Sequence, residues 1–200
     1  MPSEICWRAR TPITMVDLSL VLLHYPVVDK NGAIVTSALT NMDIHDIARS
    51  ARTFGVRRFF VATPVRALRL LSEKIMEHWE EGFGAEYNVT RKDALSIVRL
   101  ETDLDGTIVA IERDTGSKPR LVMTSARPGP DRTTFADLRA ELATRADPHL
   151  IVLGTGWGLA PQVVERAEVM LEPIWGPTEY NHLSVRAAAA IILDRLCGAR

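Results

Sequence analysis

The run Leu18-Ser19-Leu20-Val21-Leu22-Leu23, continued by His24-Tyr25-Pro26-Val27, is almost continuously apolar. A strand with one wet face alternates apolar and polar residues. A run without that alternation is typical of a strand buried on both faces, as in the interior of a parallel sheet. Parallel neighbours cannot be joined by tight hairpins and need crossover connections, usually helices. The rest of the chain supplies such an alternation. "TNMDIHDIARSARTFG" reads as a helix with Ile44, Ile47, Ala48, Ala51 and Phe54 on one face, capped by Thr40, Asn41 or Asp43 and closed by Gly55. "RRFFVAT" reads as a strand stopped by Pro64, followed by a helix with Val65, Leu68, Leu71, Ile75 and Trp79 on its face. In the middle of the chain, Thr90 with Asp93 resembles a capping box, and Ala94, Leu95 and Val98 continue it as a helix. Leu104, Ile108 and Ile111 suggest another helix before Gly116. Then come a strand ("RLVMTSA"), a helix ("FADLRAELATR"), a strand ("HLIVLGT"), a short helix ("APQVVERAE"), a strand ("VMLEPI") and a final helix. The expected fold is α/β: a mostly parallel sheet with helices on both faces.

The chain has 200 residues, 46% of them hydrophobic, which suits one domain with a real core; residues 1–16 carry no clear period and read as an N-terminal extension. A formal net charge of -1 means that a nucleic-acid partner would have to meet a local basic face. Cys6 and Cys197 lie near opposite ends and form neither a disulfide framework nor a zinc pattern. His24, His45, His78 and His149 show no metal spacing, so no metal site is expected. No apolar run reaches the roughly 18 residues of a membrane span, and the N-terminus lacks a signal-peptide core. The expected location is the cytoplasm.

Two stretches carry candidate chemistry. "LIVLGTGWGL" places Gly154, Gly156 and Gly158 directly after a strand, where glycine permits positive φ and close approach of a ligand to backbone. Such a loop is either a tight strand-to-helix turn or a ligand cradle. A Rossmann-type nucleotide site wants this loop after the first strand, with several βα units still to come; here only about 40 residues follow it. The second stretch, "EYNHLSVRAAAAIILDRL", joins a polar cluster to four alanines, Ala187 to Ala190, at the start of the last helix. Alanine keeps helix propensity high without bulk, and Asn181 or Ser184 can satisfy the orphan amides of the helix start.

Taken in order, three regions resemble the SPOUT (α/β-knot) class of RNA methyltransferases. "DIHDIARSARTFGVRRFFV" is similar to that class's first motif, with Arg49 six residues before Gly55. "IVLGTGWGL" is similar to the second, and "EPIWGPTEYNHLSVRAAAAIIL" to the third. The nearest resemblance is to the bacterial RNA methyltransferases of the class that carry "YNHLSV" before the alanines. The ordered combination spans most of the chain from Asp17 onward, whereas any one motif alone would be weak.

The resemblance implies S-adenosylmethionine as cofactor, an RNA substrate (tRNA or rRNA), a homodimer, no membrane, and a last helix tucked through a loop as a trefoil knot, a rare exception to unknotted topology. It implies three loops that hold the cofactor: Thr124, Ser125 and Ala126; Leu153, Gly154, Thr155, Gly156 and Gly158; and the run 174–184 with Ile174, Gly176, Tyr180, Asn181, His182, Leu183 and Ser184. Leu153, Ile174 and Leu183 would supply apolar contact, and are equally readable as core. Arg49 is the candidate catalytic residue, for contacting the target nucleotide or helping its proton leave, against the plain reading of a solvated helix arginine. Asp43 stands where ribose-methylating members of the class often carry Asn, which puts 2′-hydroxyl chemistry in doubt and leaves a base nitrogen as a target. Trp157 reads as stacking on a base or as filling the loop. Arg49, Arg52, Arg57, Arg58, Arg66 and Arg69 read as an RNA-facing patch or as two solvated helix faces and a strand start. The open alternatives are a non-catalytic cofactor- or RNA-binding module of the same fold and a Rossmann-type nucleotide-binding enzyme.

Overall fold

The computed structural model describes residues 17–81 and 87–199. The N-terminal extension and Cys6 lie outside the described residues. The elements run β1 (Leu18–Leu23), β2 (Val27–Val28), β3 (Ile34–Val35), α1 (Asn41–Thr53), β4 (Arg58–Ala62), α2 (Arg66–Glu80), α3 (Val89–Leu95), β5 (Val98–Glu101), α4 (Leu104–Thr115), β6 (Arg120–Met123), α5 (Phe135–Thr144), β7 (His149–Gly154), α6 (Pro161–Val164), β8 (Val169–Met170) and α7 (Val185–Cys197).

Six strands form one sheet in the order β5-β4-β1-β7-β6-β8. Every pairing in it is parallel. β1 is central, with Leu20 opposite Phe59 on one side and Ile151 on the other, and all six of its residues are buried. The pleat sorts its side chains into two layers. Leu18, Leu20 and Leu22 face a core made with Ile44, Ile47, Leu138, Ile192 and Leu193, contributed by α1, α5 and α7. Val21 and Leu23 face a second core with Phe60, Ile111, Met123, Val152 and Val163. β2 and β3 make a separate antiparallel pair.

The start of α1 follows its sequence signal. Thr40 is the N-cap, its side chain accepts from the Asp43 amide, and the Asp43 carboxylate accepts from the Thr40 amide, which closes a capping box. Gly55 follows the helix with a φ of 76° and Gly116 ends α4 in the left-handed region.

Three sequence expectations need correction. Val98 is not helical: α3 ends at Leu95, and Val98 opens β5 opposite Phe59, because pairing with the β4 edge outweighs the helical period. The cap of α3 is Asn88, whose side chain accepts from the Arg91 amide, while Asp93 is engaged by Arg52. The expected face of α2 is only partly covered: Val65 precedes the helix, Leu71 is 54% exposed, and the buried residue is Ser72.

α7 packs between α1 and α5. Ala189 is fully buried there, and Arg139 of α5 donates to the Arg195 and Gly198 carbonyls at the far end of the helix (3.1 and 2.7 Å). A larger residue would have to push two helices apart. Ala189→Leu is expected to lower stability by about 1–3 kcal/mol through overpacking, read as a fall in the urea unfolding midpoint at unchanged slope; an unaltered midpoint would show that the helix seat is loose.

Candidate functional site

The C-terminal ends of β6, β7 and β8 open into a cleft of about 870 Å³. This is where parallel α/β sheets hold ligands, because the loops leaving neighbouring strands diverge there. Its walls come from four places in the chain. Thr124, Ser125, Ala126, Arg127 and Pro128 follow β6; Leu153, Gly154, Thr155, Gly156, Trp157 and Gly158 end β7; Leu171, Glu172 and Ile174 follow β8; and Asn181, His182, Leu183, Ser184, Val185, Ala188 and Ile192 lead into and along α7. Ser37, Ala38 and Asp43 close the side toward α1.

Hydrogen bonds hold these walls in place. The Thr124 hydroxyl donates to the Val152 carbonyl (2.9 Å), fixing the exit of β6 against β7. The Asn181 side-chain amide donates to the Ala126 carbonyl (2.9 Å), tying the C-terminal segment across to the β6 loop. Ser184 caps α7 by accepting from the Ala187 amide. Arg186 donates to Asp43 (3.0 Å) and lies 3.5 Å from Asp46, fastening α7 to α1 beside the cleft.

The glycine loop is tied to β2. The Trp157 amide donates to the Val28 carbonyl and the Val28 amide to the Gly158 carbonyl. At Gly156, with φ +60°, a Cβ would sit 3.1 Å from the Val28 carbonyl; at Gly154 a Cβ would sit 2.9 Å from the Leu159 side chain. These two glycines are therefore required by the protein's own packing. Of the three loop glycines, Gly158, with φ +118°, is the one that faces open space.

Behind the loop lies a chain of hydroxyl groups. The Thr155 hydroxyl lies 3.2 Å from the Leu23 carbonyl and pairs closely with the Ser37 hydroxyl, which lies 2.9 Å from Nδ1 of His24. With Thr155 donating to the carbonyl and Ser37 to Thr155, His24 must donate from Nδ1 to Ser37. His24 is wholly buried and its Nε2 meets no partner among the described residues. Burial drives its pKa down to about 4, against a weaker upward pull from Asp43.

The structure thus brings thirteen of the sequence-expected cofactor residues to one cleft, all but Gly176 and Tyr180. Tyr180 is 74% exposed and stands edge-on to His182. Arg49 is exposed on α1 and outside the cleft lining. The basic stretch does not form one patch. Arg58 is buried and bonded to Asp17 (2.7 Å) and Asp114 (3.1 Å), Arg52 is paired with Asp93, and Arg69 donates to the Thr63 carbonyl (2.6 Å). The sequence reading missed Ser37, Glu172 and Ala188 as lining residues. Ala188 was legible in the alanine run; Ser37 sits in an irregular segment that carries no pattern. Among the described residues no three His, Cys, Asp or Glu side chains converge as a metal site, and no helix is long and apolar enough to cross a membrane.

A family described as SAM-dependent RNA methyltransferases matches residues 17–198. The chain belongs to this family. S-adenosylmethionine is the cofactor that goes with it, and RNA the substrate class. An uncharacterized protein of Aquifex aeolicus is 42% identical over 177 residues, which is 88% of this chain and 86% of that one. A tRNA (guanine-N(1)-)-methyltransferase of Nitratidesulfovibrio vulgaris is 46% identical over 182 residues, 91% of this chain; the chain spans 42% of that relative's length. Among solved structures, a putative methylase family protein from Neisseria gonorrhoeae has a TM-score of 0.59 at 18% identity, covering 94% of this chain and 84% of that one. The Aquifex aeolicus TrmH/SpoU tRNA modifying enzyme has a TM-score of 0.50 at 18% identity, covering 90% and 74%. These two likenesses concern the fold. The family match sets aside the Rossmann-type nucleotide-binding alternative.

The buried imidazole gives the site a pH signature. His24 has a folded pKa of about 4 against its ordinary 6.5. Its neutral burial stabilises the fold fully above pH 6.5, and that stability is lost as pH falls toward 4, where the unfolded chain binds the extra proton. The loss amounts to about 3 kcal/mol. Denaturant midpoints measured between pH 7 and 4 should therefore fall less for His24→Gln than for the unaltered chain. Parallel pH curves would mean that His24 titrates normally.

Proposed function

We propose that the cleft binds S-adenosylmethionine and that the chain transfers its methyl group to tRNA. The observation that carries this is the meeting of three separate loops, 124–128, 153–158 and 171–185, around one cleft of about 870 Å³. That volume is in the range of small-molecule sites, and the lining is mixed as the cofactor requires. Leu153, Leu171, Ile174 and Leu183 offer apolar contact for the adenine, while Arg127, Asp43, Glu172 and Glu179 supply both signs of charge for a zwitterionic ligand. Once bound, the cofactor supplies a methyl group on a sulfonium, an activated carbon with a neutral leaving group. The residues' task is to orient that carbon and exclude water. Asn181, held to the Ala126 carbonyl, closes the third loop over the first. Arg49 is read as a contact to the RNA.

The tRNA reading draws on the relatives named for tRNA guanine methylation, and a base nitrogen is the target it favours. A trefoil knot agrees with the path of residues 171–184. The chain leaves the edge strand β8, bridges to Thr133 at Leu171, is tied to the Ala126 carbonyl through Asn181, and then brings α7 beside β7. A homodimer agrees with the exposed Trp175, Tyr180 and Leu183 gathered in one segment beside the cleft. Residues 17–199 are read as one domain.

Transfer of labelled methyl groups from S-adenosylmethionine to tRNA and rRNA stripped of modification, followed by nucleoside mass spectrometry, tests the reading. Label in tRNA on a base supports it. Cofactor binding with no label in any RNA would favour the non-catalytic module.

Two substitutions separate the parts. Ala188→Phe puts a ring into the cleft from α7 and is expected to weaken S-adenosylmethionine binding by about tenfold or more, or about 1.4 kcal/mol, by calorimetry; unchanged affinity would move the cofactor elsewhere. Arg49→Ala is expected to reduce methyl transfer at least about tenfold and to leave cofactor affinity within about twofold, the pattern of a group acting on the RNA side. Full activity in that variant would make Arg49 a surface residue.

A further inference from the structure

A second recess, of about 450 Å³, lies between α1, α2 and α3 and shares α1 with the cofactor cleft. Asn41 and His45 line it from α1, Lys74, His78 and Trp79 from α2, and Arg91 from α3. We propose that this recess binds the sugar–phosphate backbone of a single-stranded RNA segment, gripping the substrate strand beside the nucleotide that enters the cleft. The identity of the strand as substrate rests on the methyltransferase reading; the chemistry of the recess rests on its own residues.

The recess is built on a fixed frame. Arg52 of α1 makes two bonds to Asp93 of α3 (3.0 and 2.9 Å), and Lys92 of α3 donates to the Glu80 carbonyl at the end of α2 (2.8 Å). These bonds tie the three helices to one another around the recess. Within it, the Arg91 guanidinium lies 4.6 Å over the Trp79 ring, and His45 and His78 stand edge-on to the same ring. The indole holds the guanidinium by cation–π attraction in one place.

This arrangement lacks an acceptor. Nε of Arg91 is shielded from solvent and has no hydrogen-bond partner among the described residues, and Nδ1 of His45 is in the same condition. A shielded donor left unmatched is costly, so the recess is poised to gain from an incoming oxygen. The charges agree. Arg52 is spent on Asp93, but Arg91 and Arg49 make no ion pair among the described residues, and Lys74 has only the solvent-exposed Glu77, 2.7 Å away. The nearby Asp46 faces Arg186 of α7. An anion is thus the natural occupant, and phosphate oxygens suit a guanidinium fork.

Two features favour RNA over a free phosphate. Burial, with repulsion from Arg91 and Arg49, lowers the His45 pKa below its ordinary value. A neutral imidazole can both give and take a hydrogen bond, which matches a ribose 2′-hydroxyl. The stacked guanidinium also presents a flat face of the kind on which unpaired bases rest. Asn41, His45 and Arg49 recur at four-residue spacing and so form a stripe along α1. Asp43, on the opposite side of the same helix, lines the cofactor cleft, so α1 is the wall that the two sites share.

Fluorescence anisotropy of labelled hexauridylate, read across a salt series with the full chain, tests the proposal. Arg91→Gln with Lys74→Gln should weaken binding at least about tenfold and lower the salt slope by about 1.4, at about 0.7 per phosphate contact on a single strand. Lys74 is largely exposed, so Lys74→Gln alone cannot unfold the chain and should lower the slope by about 0.7. S-adenosylmethionine affinity by calorimetry should not change in either variant. An unaltered slope and affinity in the double variant, or no hexauridylate binding by the unaltered chain at low salt, overturns the recess as an RNA site. Loss of hexauridylate binding in a chain that methylates no RNA would uphold the recess and sink the enzymatic reading. Methylation of tRNA with hexauridylate binding untouched by the variants would do the reverse.

Discussion

The seat of α7 between α1 and α5 decides the geometry of everything at the top of the sheet. That seat is narrow because Ala189 presents only a methyl group to the core, so backbones approach closely. One residue earlier, Ala188 presents an equally small group to the cleft. The alanine run thus serves two ends at once: bulk at either position would fill a space that the fold needs empty or need a separation that the fold does not have. The polar ends of the helix then fix its register. Arg186 reaches Asp43 and Asp46 at one end, and Arg139 reaches the Arg195 and Gly198 carbonyls at the other. A helix held at both ends and in the middle makes a firm wall for a ligand, which is the condition for placing one carbon atom accurately.

The opposite wall is held by hydroxyl groups and by the β2 edge. Thr155 cannot move without breaking its bond to the Leu23 carbonyl and its partnership with Ser37, and Ser37 cannot move without leaving Nδ1 of His24 bare. A buried neutral imidazole is an expensive anchor, since protonation would place a charge in the core; it acts as an anchor only while it stays neutral. The glycines complement this. Gly154 and Gly156 let the loop lie close against Leu159 and Val28 while it lines the cleft.

The reach of the sequence follows from this division of labour. β1, β4, β6 and β7 were legible because a strand buried on both faces must be apolar at every position, and that demand leaves a mark in the chain. The cap of α1 was legible because Thr40 and Asp43 perform their function with near neighbours. The polar segment before the alanines showed itself for the same reason, through its local density of hydrogen-bonding groups. β5 was hidden because Val98 becomes a strand residue only when β4 lies alongside, a partner nearly 40 positions away. Ser37 and His24 were hidden for a related reason: their meaning depends on Thr155, 118 positions from Ser37. Arg58 misled, since an arginine beside Arg57 resembles a basic surface until Asp17 and Asp114 are seen to enclose it.

Arginine pairing then separates two ends of the molecule. At the N-terminal ends of the strands, Arg58 is buried with two carboxylates and Ser19, and Arg120 meets Glu141 at 2.7 Å. Those charges are neutralised within the fold, and their effect is to hold neighbouring elements together. On the flank of α1 the balance differs. Arg52 is matched, but Arg49 and Arg91 form no ion pair among the described residues, and Arg91 is carried on an aromatic ring. Unmatched guanidinium groups destabilise a compact chain slightly through repulsion and recover that cost only against an anion. On the proposed reading the methyl acceptor meets these groups on the flank of α1, the helix whose other side carries Asp43 into the cleft. A chain with a net charge of -1 can meet a polyanion in this way, because what the polyanion meets is a few fixed donors on neighbouring helices and not the mean charge of the whole surface.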